Sequence, residues 1–308
     1  MNDRKVGLFF GITAFTIWGL NPIYWKFIKH VPAYEILAHR SLWALVFVWM
    51  LVVARGEWPQ TKAVFGQPRV FMRAALSAAC LGANWYIYVY AINSDRILDT
   101  SLGYYINPLF NVFLGVVFLG ERLRRLQWMA VLLVAAAVSI MAAEFGRLPW
   151  ISLGVAITFG FYGLLRKTGA LGSINGFLIE TMALTVPSVG FIAYWEIQNV
   201  GQFTESMSTT LLLIGTGLIT AVPLMCFARG VRSLPLSTMG LIQYFTPTCT
   251  FLLGIFVYGE RFTRTHLVTF GLIWFALILY SVEGALVLRR QEQLRNQLGL
   301  ENHTSKSR

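Results

Sequence analysis

Long apolar stretches separated by short polar segments fill most of the chain. We place ten of them at residues 6–26, 35–54, 71–92, 100–119, 127–143, 148–165, 176–195, 210–229, 238–258 and 265–288. A helix rising 1.5 Å per residue needs about 20 residues to cross a hydrocarbon core, so each stretch has the length of a membrane span. The pattern predicts an all-α integral membrane protein of ten transmembrane helices. Beyond residue 288 the apolar pattern stops, and 289–308 reads as a polar tail.

The spans carry an internal echo. Residues 115–125 read GVVFLGERLRR and residues 254–264 read GIFVYGERFTR, an offset of 139 residues. Pro108 and Pro247 keep that offset, each thirteen residues before the glutamates Glu121 and Glu260. Phe15, Trp18, Gly19 and Leu20 are matched by Phe159, Tyr162, Gly163 and Leu164, and Thr100 to Gly103 resembles Ser237 to Gly240. Such self-similarity predicts two five-helix repeats, 1–145 and 146–288. Five is odd, so the second repeat enters the membrane from the opposite side and the repeats are inverted. They differ in the middle: the step from glycine to proline is five residues before Pro108 and seven before Pro247.

Composition agrees with the pattern, at 56% apolar and 13% charged residues. The net charge of +11 could suggest nucleic acid, yet the basic residues lie in short loops and the tail, where orientation explains them better. With ten spans, 18 of the 25 Lys and Arg fall on one side, which makes that side cytoplasmic and puts both termini there. Arg261 and Arg264 run against this split, as a duplicated motif would. Cys80, Cys226 and Cys249 lie within spans and imply no disulfide framework; no metal-ligand spacing and no cofactor motif appears. The apolar stretch after Lys5 reads as the first span, not as a cleaved signal peptide.

Several ordered strings resemble the EamA-type proteins of the drug/metabolite transporter superfamily. They are Ile17-Trp18-Gly19, Val31-Pro32-Ala33, Glu35-Ile36-Leu37, His39-Arg40, Asn84-Trp85, Ser101-Leu102-Gly103-Tyr104, Ile106-Asn107-Pro108, Leu119-Gly120-Glu121-Arg122, Phe161-Tyr162-Gly163-Leu164, Arg166-Lys167, Leu178 to Met182, and Gln243-Tyr244 with Pro247. The resemblance covers nearly the whole chain. It implies a multi-pass carrier in a bacterial inner membrane that moves small organic solutes, amphipathic drugs among them, and leaves the solute and direction open.

Within that frame the candidate solute contacts are Trp18, Asn84, Trp85, Tyr88, Tyr105, Asn107, Tyr162, Gln243, Tyr244 and Thr246, at matching depth near helix breaks at Pro108 and Pro247. Proline removes an N–H and clashes with the preceding turn, which frees carbonyls where inverted-repeat carriers hold their solutes. Each residue also has a structural reading: a kink healed by its neighbour, an aromatic in the core, an amide joining two helices. Arg40, Glu121, Glu180 and Glu260 are candidates for gating or for a coupling proton or ion. Glu180 equally suits an ion pair with Arg166 or Lys167. For Glu121 and Glu260 the structural reading is a glycine-capped helix whose following acid faces the positive end of the next helix dipole.

These features favour a secondary transporter working by alternating access. A channel is the rival, and a membrane enzyme is less favoured because no nucleophile, base or metal cluster appears. No nucleotide-binding loop is present. The expected partners are a small-molecule substrate and the lipid bilayer, and a homodimer stays open. The charge split makes a direct prediction: an external thiol reagent labels cysteines introduced in loop 196–209 and spares those in loop 56–69. The reverse pattern overturns the orientation.

Overall fold

In the computed structural model, residues 3–94, 97–145, 150–257, 264, 267–283 and 286 are described. The described residues form helices and no strand. They are α1 (Asp3–Phe27), α2 (Ala33–Ala54), a short α3 (Trp58–Ala63), α4 (Pro68–Asn93), α5 (Ile97–Leu119), α6 (Arg125–Phe145), α7 (Trp150–Thr168), α8 (Ser173–Ile197), α9 (Met207–Ser233), α10 (Leu236–Ile242), α11 (Phe245–Phe256) and α12 (Leu267–Glu283). Helices α1, α2, α6, α8 and α9 are long and apolar enough to cross a membrane. The stretch expected as one span at 238–258 is two helices, α10 and α11, parted at Gln243 and Tyr244. The loop expected at 56–69 holds α3 and a 3-10 turn at Val64–Gly66.

Helix ends follow the local residues. Ser206 caps α9, its Oγ accepting from the Thr209 N–H at 3.1 Å. Asn199, at φ 54°, turns the chain after α8, a conformation asparagine tolerates better than most residues. Leu234 and Pro235 separate α9 from α10.

The chain divides into two compact units. One comprises residues 1–121 and 145–261; the other comprises 122–144 and 262–308, described at α6 and α12. In the second unit each helix buries one stripe, Ala130, Val134 and Ala137 on α6 and Phe270, Ile273 and Ala276 on α12, at helical spacing. In the first unit the packing maps onto itself when the two halves of the sequence are exchanged. Helix α1 lies on α9 and α11 as α7 lies on α4 and α5; α2 lies on α9 as α8 lies on α4. Helix α2 meets α8 and α5 meets α10, so these pairs are their own counterparts.

Polarity is arranged for a hydrocarbon solvent. Phe256, Val186 and Ile197 are 79%, 75% and 75% exposed, while Asn107, Asn111, Glu180 and Gln243 are buried. Close approach depends on small residues: a Cβ built on Gly217 of α9 falls 2.4 Å from the Trp43 carbonyl carbon and 2.6 Å from the Ala44 nitrogen of α2. Both contacts are backbone and cannot turn aside. Gly217→Ala is therefore expected to cost about 1–3 kcal/mol by overpacking. Gly190→Ala, on an α8 face with open space, is expected to leave stability unchanged or raised. Thermal unfolding of the detergent-purified variants checks the contrast.

Candidate functional site

Helix α5, which carries Pro108, crosses α10 just before the break at Gln243 and Tyr244. A Cβ built on Gly240 of α10 would stand 2.5 Å from the Pro108 carbonyl oxygen of α5, so glycine lets the backbones touch there. Pro247 cannot donate to Gln243 O, and the Thr246 N–H takes that carbonyl at 3.0 Å in a tighter turn. This is the physical reason α10 and α11 part at Gln243. The Tyr244 hydroxyl donates to Tyr105 O at 2.8 Å, in the turn that Pro108 loosens. Tyr105 and Tyr244 are 139 residues apart, the offset of the sequence echo, so matching positions of the two halves meet.

Amides extend this crossing. Asn111 Nδ2 donates to Asn107 Oδ1 at 3.0 Å and to Gln243 Oε1 at 3.1 Å, and Asn107 Nδ2 donates to Ala156 O of α7 at 2.9 Å. Thr246 Oγ1 donates to Phe15 O of α1 at 2.9 Å. Asn111 was not among the sequence candidates; its signal is an amide one helical turn beyond Asn107 in an apolar stretch.

The remaining candidates disperse. Trp18 joins an aromatic cluster with Phe15, Phe159 and Phe227, with ring centroids 5.6, 5.7 and 5.8 Å away. Asn84 Nδ2 joins α4 to α7, donating to Val155 O at 2.9 Å and Thr158 Oγ1 at 3.1 Å. Tyr162 is fully buried and donates to Glu180 Oε2 at 3.3 Å. Glu180 also accepts from Ser77 Oγ at 2.6 Å and pairs with Arg166 Nη1 at 3.4 Å, so its carboxylate is fully engaged. It borders a cleft of about 610 Å³ lined by Arg69, Arg73 and Arg166. Trp85 and half-buried Tyr88 of α4 lie instead beside Arg40 of α2, whose guanidinium rests 4.4 Å from the centre of the Trp85 ring.

Glu121 closes one end of the first unit. Gly120, at φ 63°, ends α5, and the following carboxylate accepts from Leu236 N at 2.5 Å, Ser237 N at 2.9 Å and Ser237 Oγ at 2.6 Å. The glycine cap is as the sequence suggested. The helix capped by the acid is α10, distant in sequence, and not the α6 that follows, because α10 starts beside the end of α5. At the same end Lys167 Nζ donates to Val231 O at 3.0 Å and to Leu234 O, and Arg232 Nη1 donates to Gly169 O at 2.6 Å and Leu171 O at 2.8 Å. These cations satisfy carbonyls left over at helix ends. Glu260, with Gly259 and Arg261, lies outside the described residues.

Because Asn84 spends both amide hydrogens on α7, Asn84→Ala is expected to lower stability by about 1–2 kcal/mol. Thermal unfolding of the purified variant reads this; an unchanged midpoint would return Asn84 to the solute contacts.

The model of the EamA-like transporter family matches residues 5–143 and again 149–282. A Vibrio cholerae protein named an uncharacterized transporter is 42% identical, with the alignment covering 92% of this chain and 94% of that protein. Protein RarD of Escherichia coli K12 is 41% identical over 94% of this chain and 98% of its own length. A chloramphenicol-sensitive protein RarD from Pseudomonas aeruginosa is 31% identical over 92% and 96%. A solved crystal structure superposes with a TM-score of 0.69 at 17% identity, covering 91% of this chain and 98% of the other, which is a likeness of fold. The chain belongs to the EamA-like transporter family.

Proposed function

We propose that this protein is a secondary transporter of a bacterial inner membrane that carries small organic solutes by alternating access. In this reading the ten apolar stretches all span, as two inverted five-helix repeats with both termini cytoplasmic and the polar tail on the same side. The observation that carries it is the exchange symmetry of the packing, in which each main contact of one half has its counterpart in the other. Two halves that pack alike can trade conformations at little net cost, opening the path first to one side and then to the other.

The side chains divide the labour accordingly. The crossing of α5 with α10, held by Tyr244 and Asn111, is the pivot near mid-membrane, and Thr246 ties α11 to α1 beside it. Glu121 is a bolt: three hydrogen bonds join α5 to α10 at one end, with no covalent link to prevent their release. Glu260 is assigned the matching part on sequence grounds alone. Solute meets the aromatic and amide side chains beside the pivot as the halves exchange. Relatives from Vibrio cholerae and Pseudomonas aeruginosa are named as transporters, which favours carriage over an enzymatic reaction.

Reconstitution into liposomes tests the reading. A carrier is expected to give saturable uptake accelerated by unlabelled solute on the opposite side, the signature of exchange. Flux that rises without saturation and ignores trans solute would mark a pore. Glu121→Ala removes the bolt and is expected to raise thiol labelling of a cysteine introduced at Ser237 by several-fold, since a charge-assisted bond contributes about 1.5–3 kcal/mol to the closed arrangement.

A further inference from the structure

We propose that Arg40 is the anion-recognition group of the solute path and takes the carboxylate of a flat, amphipathic monocarboxylate. The inference rests on the carrier reading above and adds a substrate class to it.

A cation within a membrane span is costly unless a counter-ion, carbonyl groups, water or a ligand settles it. The two arginines of the first unit that point inward are settled very differently. Arg166 has the Glu180 carboxylate at 3.4 Å and the carbonyls of Gly172 and Ser173 at 3.2 and 2.8 Å. Arg40 has the Thr220 hydroxyl, which accepts from Nε at 3.2 Å, and the Trp85 ring beneath the guanidinium. Among the described residues no carboxylate pairs with it. Its terminal amino groups bond no described residue, and the side chain as a whole is half-buried.

The geometry matches one ligand group. The Trp85 ring holds the guanidinium carbon from one side and Thr220 occupies Nε, which leaves the edge bearing Nη1 and Nη2 to be offered end-on. Two parallel N–H donors on a planar fork suit the two oxygens of a carboxylate. Tyr88 of α4 and Tyr104 of α5, within electrostatic range of the same guanidinium, are partly open, Tyr104 to 40%. Their rings supply flat apolar walls for the body of the solute. Arg40 stands seven residues into α2, about 10 Å along the helix. Helix α2 begins at the end opposite Glu121, where Glu35 Oε1 accepts from Gln202 N at 2.7 Å, so a solute entering from that end would reach Arg40 early.

Matched acids and amides isolate the charge. The purified protein is titrated with indole-3-acetate and indole-3-acetamide, and with phenylacetate and phenylacetamide, while its thermal midpoint is followed. The acids are expected to raise the midpoint and the amides to leave it unchanged. Arg40→Gln is expected to weaken acid binding by about ten-fold or more, because a charged partner is lost. Arg40→Lys keeps the charge without the fork and falls between. Equal stabilisation by acid and amide, no stabilisation by either acid, or undiminished acid binding by Arg40→Gln overturns the proposal. Should Arg40→Gln fail to fold, Thr220→Val carries the comparison: it frees the guanidinium from its anchor at constant charge, and acid binding is expected to fall several-fold while unchanged acid binding overturns the proposal. Counterflow of labelled indole-3-acetate in liposomes separates the two readings. Acid binding that needs Arg40 without counterflow keeps this site and removes the carrier, whereas counterflow of the amide as fast as the acid keeps the carrier and removes the anion site.

Discussion

A helix broken inside hydrocarbon leaves carbonyls that no water can reach, and every break must therefore be repaired by another part of the chain. Pro247 imposes that requirement between α10 and α11, and Pro108, inside the continuous α5, withdraws one helical donor at the matching place. The two places are joined directly: Tyr244, at the break before Pro247, gives its hydroxyl to Tyr105 O in the turn before Pro108. Gly240 lets the helices approach closely enough for this, and Asn111 ties the same crossing through Gln243. These bonds fix the register of α5 against α10.

Away from the crossing, polar groups are spent at helix ends. Glu121 takes two N–H groups at the start of α10, and Lys167 and Arg232 take carbonyls around the end of α9 and the loop after α7. The basic residues thus have two physical roles at once. In the proposed ten-span topology their number on one side biases how the chain enters a membrane, and their individual positions complete the ends of particular helices. Conformational exchange would have to break such contacts at one end, and Glu121 is attached in the manner that permits it, through hydrogen bonds between segments far apart in sequence.

The buried charges illustrate a second division. Glu180 and Arg166 satisfy each other with help from Ser77, Tyr162 and two carbonyls, which makes that pair a structural joint between α4, α7 and α8. Arg40 has a stacked ring and a single hydroxyl. Arg166 thus has a counter-ion and two carbonyls, although its Nε is buried without a partner, while Arg40 has no carboxylate among the described residues.

The sequence by itself determined the helical class, the echo at 139 residues and the break beside Pro247, because these depend on apolar length and on local backbone chemistry that each stretch carries alone, whereas the break expected at Pro108 is not formed: α5 runs on through it. It also determined that Gly120 would end a helix and that Asn84 would need a partner, since both follow from the residue and its surroundings in the chain. Only the tertiary structure decided which partner. Glu121 reaches α10 and not α6, Asn84 serves α7, Glu180 takes Arg166 and not Lys167, and Asn111 joins the crossing without having been expected there. A side chain's chemistry states what it must bond, but the groups within reach are set by helices brought alongside from more than a hundred residues away, and that placement follows from the packing of the whole bundle.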